Sequence, residues 1–161
     1  MAETIRIGEF FPGEEKEVYD LVMRVFNEFV GHEYSAQGNA VFNEFAAADN
    51  IARRFEEGNI IQTAKIEYQG KTKIIGMIEA RDYNHICLLF VDTPYQGRKV
   101  ARQLFETLRA RVQQHTDFIE VNSSPYAVGV YESLGFTQTG QLTQTDGITY
   151  VPMRMGISSR R

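Results

Sequence analysis

The chain has 161 residues, 43% hydrophobic and 24% charged, which is enough for one ordinary domain with a real core. A net charge of −4 argues against general nucleic-acid binding, and no apolar stretch approaches the roughly eighteen residues of a membrane span. One cysteine, Cys87, leaves no internal disulfide framework, and the N-terminus has no basic region followed by an apolar run; the expectation is a single domain over 1–161 in the cytoplasm.

Ile5 and Ile7 alternate with polar neighbours, so residues 3–8 read as a strand that Pro12-Gly13 ends. Val18, Leu21, Val22, Val25, Phe26 and Phe29 then recur at helical spacing, with Glu14, Glu15 and Glu17 in the first turn and a stop near Gly31. Residues 32–48 predict a loop with a short helix around Phe42 and Phe45, and Ile51, Arg54 and Phe55 continue helically to Gly58. From residue 59 the period is two. Residues 60–68 and 73–81 read as strands joined at Gln69-Gly70, and a turn at Asn84 leads to a third strand over 85–91 in an antiparallel meander. Residues 97–113 are helical, with Val100, Leu104, Leu108 and Val112 on one face. Phe118, Ile119 and Val121 form a short strand, residues 125–134 a short helix with Gly135 as C-cap, and 136–144 and 148–155 a hairpin around Asp146-Gly147. The order predicts an α/β domain with a mixed, mostly antiparallel sheet of about seven strands.

Two segments carry chemistry. Residues 89–105 join an apolar strand to a helix through a turn with Gly97, Arg98 and Lys99, a junction that points N–H groups and a positive helix dipole at one spot suited to phosphate. Arg98, Lys99, Arg102, Arg109 and Arg111 face one acid, Glu106, over residues 98–111; this basic patch favours a polyanionic ligand or is a solvated helix face. The second segment is Tyr131-Glu132-Ser133-Leu134-Gly135-Phe136.

With the element order, these segments resemble the GNAT superfamily of acetyl-CoA-dependent N-acetyltransferases, over residues 3–155. The family's pyrophosphate loop reads Gln/Arg-x-x-Gly-x-Gly/Ala; Gln96, Val100 and Ala101 fit, Gly97 is in the usual extra position, and Lys99 stands where the middle glycine is expected. Val121-Asn122-Ser123-Ser124-Pro125-Tyr126-Ala127 and the stretch from Asp146-Gly147-Ile148 to Val151-Pro152-Met153 are similar to bacterial members of unassigned substrate. The resemblance implies a central sheet with helices on both faces, splayed strands that form a wedge for coenzyme A, and often a homodimer.

The resemblance also implies roles. Backbone N–H groups from Gln96 to Ala101, with Arg98, Lys99 and Arg102, would hold the pyrophosphate. Phe90 and Val91 would pair through their backbone with the pantetheine arm, and Asn122 and Ser124 would line the wedge. Tyr131 would protonate the departing sulfur, and an N–H near Val91 would hold the oxyanion. For the base, Glu79 inside an apolar strand is the first candidate, since a carboxylate there gains a raised pKa unless paired; its structural alternative is a salt bridge to Arg81 or another cation. His85, Glu120 and water are the other candidates. A two-residue turn at Tyr83-Asn84 would pair Asp82 with His85 and Glu79 with Leu88, setting Glu79 and His85 on opposite faces. Cys87, read as a core residue, would form no acyl-enzyme. Tyr34, Phe42, Phe45 and Tyr150 are candidates for an apolar acceptor pocket, or simply core. The negative charge mildly favours a cationic amine.

The expected function is therefore direct acetyl transfer from acetyl-CoA to a primary amine of a small molecule or peptide in a ternary complex, with no nucleic acid, metal or membrane partner. The alternative is a GNAT-fold acyl-CoA sensor with little turnover, which the lysine at position 99 favours.

Overall fold

A computed structural model of the chain describes residues 3–157. The first strand, β1 (Arg6–Glu9), is followed by helix α1 (Glu15–Phe29), a 3-10 turn at Gly31–Glu33, and helices α2 (Ala36–Ala46) and α3 (Ala48–Glu56). A meander of β2 (Ile60–Tyr68), β3 (Lys71–Arg81) and β4 (His85–Val91) leads to α4 (Val100–Val112). Strand β5 (Phe118–Ser123), helix α5 (Val128–Leu134), and strands β6 (Thr137–Gln138), β7 (Thr143–Thr145) and β8 (Ile148–Gly156) complete the order.

The strands form one sheet in the order β1-β2-β3-β4-β5-β8-β6, with β7 paired to β8. All neighbours are antiparallel except β4 and β5. Helices cover both faces. Val18, Leu21, Val22 and Phe26 of α1 pack on Ile61, Met77 and Leu88. Val100, Leu104, Phe105 and Leu108 of α4, with Tyr131 and Leu134 of α5, pack on Ile75, Ile78, Ile86, Ile119 and Val121. Each face of the sheet is thus buried by helices, as the strand and helix periodicities required.

Three local features depart from the sequence expectation. The segment 32–48 is mostly helix, because Ser35 caps α2: its Oγ accepts the Gly38 N–H at 3.1 Å. The expected strand over 136–144 is instead β6 and β7, split opposite Pro152 of β8. A proline offers no N–H to the ladder, and its carbonyl takes only the Thr139 N–H, at 2.9 Å. The sheet thus has eight strands rather than seven. The turn between β3 and β4 is centred one residue earlier than expected, on Asp82 and Tyr83, both left-handed (φ 54° and 64°). Asn84 N–H returns to Arg81 O at 3.2 Å, the mark of a hairpin turn of this hand.

That turn pairs Arg81, not Asp82, with His85, while Glu79 still pairs with Leu88. The counts differ by one because Cys87 is an extra residue, a bulge in β4 opposite Glu79 and Ala80. The bulge reverses the alternation, so His85 falls on the same face as Glu79 rather than the opposite one.

The last turn reaches back over the first half of the chain. Ser35 N–H bonds Gly147 O at 3.1 Å, and a Cβ on Gly38 would stand 2.1 Å from that same oxygen. Only glycine permits so close an approach of α2 to the β7–β8 turn.

Candidate active site

Strands β4 and β5 pair in parallel only at His85–Glu120 and Ile86–Val121, and then part. A cavity of about 480 Å³ fills the opening. Its walls run from the β4–α4 loop, along Leu89 to Val91 on one side and Val121 to Ser124 on the other, past Tyr131, to Phe26, Tyr34 and Phe42. Because residues of both faces of β4 border it, the cavity passes through the plane of the sheet where the strands part.

The loop end is built for an anion. Gly97 and Lys99 are both left-handed, at φ 78° and 65°, and α4 begins only at Val100, three residues later than expected. Among the described residues, no acceptor takes the N–H groups of residues 97–102; the first helical bond runs from Gln103 N–H to Lys99 O at 3.0 Å. Such a nest at a helix N-terminus holds phosphate by backbone alone. Lys99 takes up the conformation that the expected glycine would supply, at a cost of about 1–2 kcal/mol for a residue with a Cβ.

The basic patch is largely spent on other partners. Arg98 does not border the cavity: it reaches Glu3 at 3.5 Å and lies over the Tyr95 ring at 5.3 Å. Arg109 pairs with Glu106 and Arg111 with Glu9. Arg102 borders the cavity but donates to Ser133 O at 2.7 Å, tying α4 to α5. Lys99 has no ion-pair partner among the described residues and borders the cavity.

On β4 the expected pair of backbone contacts shifts by one residue. Asp92 N–H bonds Ile75 O at 2.8 Å, and a Cβ on Gly76 would stand 3.3 Å from Phe90 O, so these residues turn their backbone toward β3. By alternation, Leu89 and Val91 turn theirs into the opening. Val91 O accepts Gln96 Nε2 at 2.9 Å, and Tyr126 OH donates to Gln96 Oε1 at 3.2 Å, so these side chains bridge the opening. Phe90, whose backbone faces β3, also borders the cavity. Asn122 and Ser124 border the opening as expected, and Ser124 also caps the next turn through Ala127 N–H.

Tyr131 lies deep in the opening, 5% exposed, edge-on to Phe136. Its hydroxyl has no hydrogen-bond partner among the described residues, and burial pushes its pKa well above the ordinary tyrosine value, so it holds its proton at neutral pH. The Cys87 bulge lies near it. Cys87 is not in the core but half-buried on the cavity wall, with its thiol 3.9 Å from His85 O. Burial pushes that thiol up to about 12, so it stays protonated and a poor nucleophile.

Glu79 does not reach the opening. It is fully buried on β3, where Arg54 Nε and Nη2 grip its two oxygens at 2.7 and 3.0 Å and Asn59 Nδ2 adds a bond at 2.7 Å. Arg54 also bonds Phe45 O and stacks on the Phe45 ring at 3.8 Å. The cation is Arg54 of α3, not Arg81, and the pair locks that helix to the sheet. The placement favours the salt-bridge alternative for Glu79 over the role of base, with Arg54 and Asn59 supplying three hydrogen bonds to its carboxylate.

His85 and Glu120 lie beside the opening without bordering it. His85 Nδ1 lies 3.2 Å from Glu120 Oε2, at the first of the two pairings before the strands part. They line a small polar recess with Arg81, Asn122 and Arg154, and the recess shares Val121 and Asn122 with the main cavity. Burial lowers the His85 pKa, partly offset by its hydrogen bond to Glu120. No cluster of metal-binding side chains occurs among the described residues, and none of their helices is long and apolar enough to cross a membrane.

Of the aromatic residues named for an acceptor pocket, Tyr34 and Phe42 border the cavity and Phe45 and Tyr150 do not. Phe26, Phe90, Leu89 and Tyr126 also join the wall, though none of them was named for an acceptor pocket. Their contribution depends on where β4 parts from β5 and on the bulge, neither of which leaves a mark in local periodicity.

A family model for the GNAT acetyltransferase domain matches residues 30–157. The sequence matches no curated protein. The fold is similar to a GCN5-related N-acetyltransferase from Rhodopseudomonas palustris, with 16% identity over 98% of this chain and 99% of that one and a TM-score of 0.79. It is similar to a GNAT-family acetyltransferase from Staphylococcus aureus Mu50, with 14% identity over 96% and 100% and a TM-score of 0.74. It also resembles the PaiA N-acetyltransferase of Thermoplasma acidophilum, solved in complex with coenzyme A, with 14% identity over 95% and 99% and a TM-score of 0.72. The bare N–H groups of residues 97–102 suit the pyrophosphate of coenzyme A, and the gap between β4 and β5 suits its extended arm. The chain belongs to the GNAT acetyltransferases, enzymes that use acetyl-CoA as the acetyl donor.

Proposed function

We propose that the protein moves the acetyl group directly to a primary amine of a small molecule or peptide, within a ternary complex. The observation that carries this reading is one cavity with two ends: the anion nest borders it at the loop, Tyr131 lies along its wall, and Phe26, Tyr34 and Phe42 border it beyond the loop, where a second substrate would sit. Acetyl-CoA supplies the activated thioester and a thiol leaving group.

The protein's own groups divide the work. N–H groups of residues 97–102 and the Lys99 ammonium hold the phosphates. The backbone of Leu89 and Val91 pairs with the amides of the arm once Gln96 releases Val91 O, and the Val91 N–H faces the reacting carbonyl oxygen. Tyr131 keeps a proton on its hydroxyl oxygen for the departing sulfur. His85, neutral and backed by Glu120, takes the amine proton through water. In balance, the nitrogen–acyl bond forms as the carbon–sulfur bond breaks; one proton leaves the amine and one reaches the sulfur. Cys87 stays a thiol and takes no acyl group.

The test pairs calorimetric titration of acetyl-CoA with release of free thiol in the presence of an amine panel. The expected result is saturable binding and amine-dependent thiol release. Binding without turnover on any amine would leave only the acyl-CoA sensor.

A further inference from the structure

Beyond the bulge and Tyr131, the cavity wall has one chemical character. Val25 and Phe26 of α1, Val30 just after it, Tyr34 before α2, Phe42 of α2 and Phe90 of β4 form it. Phe42 stacks on Phe26 at 4.0 Å and 4°, Tyr34 stands edge-on to Phe26 at 5.4 Å, and Phe90 tilts against Phe42 at 6.0 Å. No Asp or Glu borders the cavity, and its charged residues, Lys99 and Arg102, lie at the loop end. Burial pushes the Tyr34 phenol up to about 12, with the Glu33 charge adding to the shift. Glu33 is next in sequence and has a buried Oε1 without a hydrogen-bond partner among the described residues, but it is not part of the wall.

A second substrate entering here must bring its amine to the acetyl group and leave the rest of itself against this wall. A polycation would bury further ammonium groups with no carboxylate in the wall to meet them, at a high desolvation cost. An aromatic ring would find edge and face partners at ordinary stacking distances. We infer that the acceptor is an arylalkylamine: a primary amine on a short alkyl arm, with an aromatic ring that seats against Phe42, Tyr34 and Phe90. The inference rests on the acetyl-transfer reading and narrows it. It narrows the mild preference for a cationic amine that net charge alone supplied to one with a single ammonium group, because the charge of the whole chain is not the charge of this wall.

The test measures free-thiol release by the full-length protein with acetyl-CoA and 2-phenylethylamine, spermidine or an aminoglycoside. The kcat/KM for 2-phenylethylamine should exceed the other two by about 10-fold or more, the increment expected from burying one ring. Phe42→Leu should raise KM for 2-phenylethylamine several-fold and leave KM for acetyl-CoA unchanged. A binding readout stands apart from turnover and from the variant's folding: N-acetyl-2-phenylethylamine with coenzyme A should raise the melting temperature of the unaltered protein above that with coenzyme A alone. Preference for spermidine or the aminoglycoside would overturn the arylalkylamine assignment and leave the N-acetyltransferase reading standing. No turnover on any amine, with acetyl-CoA still bound, would overturn both.

Discussion

His85 and Glu120 form the first rung of the short parallel ladder between β4 and β5, and their side chains meet at 3.2 Å at the foot of the opening. The pairing ties a titratable group to the place where the strands part. His85 must be neutral to accept a proton, and burial already lowers its pKa from 6.5. Activity should therefore fall on the acid side, below pH 6.5. Glu120 raises the His85 pKa through its hydrogen bond and charge, so Glu120→Gln should move the acid limb of kcat/KM to still lower pH and reduce the plateau. An unmoved limb would assign deprotonation to solvent. Since the unfolded chain binds that proton more readily, the fold should also lose stability as pH drops below 6.5.

Tyr131→Phe removes a hydroxyl that makes no hydrogen bond to the described residues, so the fold should hold its melting temperature. If Tyr131 protonates the sulfur, kcat should drop about 100-fold, the low end for a lost general acid, with KM for acetyl-CoA nearly unchanged. Unchanged kcat with chemistry rate-limiting would count against that role.

Glu79→Gln should act on stability instead. The amide would leave Arg54 without its buried counter-ion, a loss of about 3–5 kcal/mol in unfolding free energy. Activity per folded molecule should be retained. A variant of normal melting temperature with no turnover would restore Glu79 as the base.

Lys99→Gly separates two effects of one side chain. Relief of the left-handed backbone, about 1–2 kcal/mol, outweighs the extra chain entropy of glycine, about 0.5–1 kcal/mol, so unfolding free energy should rise slightly. Affinity for coenzyme A should fall at low salt, and the difference should shrink as salt screens the lost ammonium. Equal affinity at low salt would remove Lys99 from the phosphate site.

Much of the fold was legible because its periodicities are strong. The stripe from Val100 to Val112 and the alternation in β2 and β3 fix which face each element buries, and Gln96, Gly97, Lys99, Val100, Ala101 and Tyr131 border the cavity while Arg98 does not. What local pattern could not carry was register. The Cys87 bulge moved His85 to the face of Glu79, and the backbone direction at Leu89 and Val91 depended on pairing with Ile75 and Gly76. Glu79 looked poised for catalysis because an acid in an apolar strand is conspicuous; its partner Arg54 is distant in sequence and lies on a helix whose docking only the tertiary structure reveals. The same holds for the aromatic wall, assembled from α1, α2 and β4.

The central claim is direct transfer between two substrates held in one cavity, with Tyr131 as the acid and no acyl-enzyme on Cys87. Initial velocities measured over a matrix of acetyl-CoA and 2-phenylethylamine concentrations test it most directly. Double-reciprocal lines that intersect are the predicted result. Parallel lines, with a labelled acetyl group retained on the protein before amine is added, would contradict it.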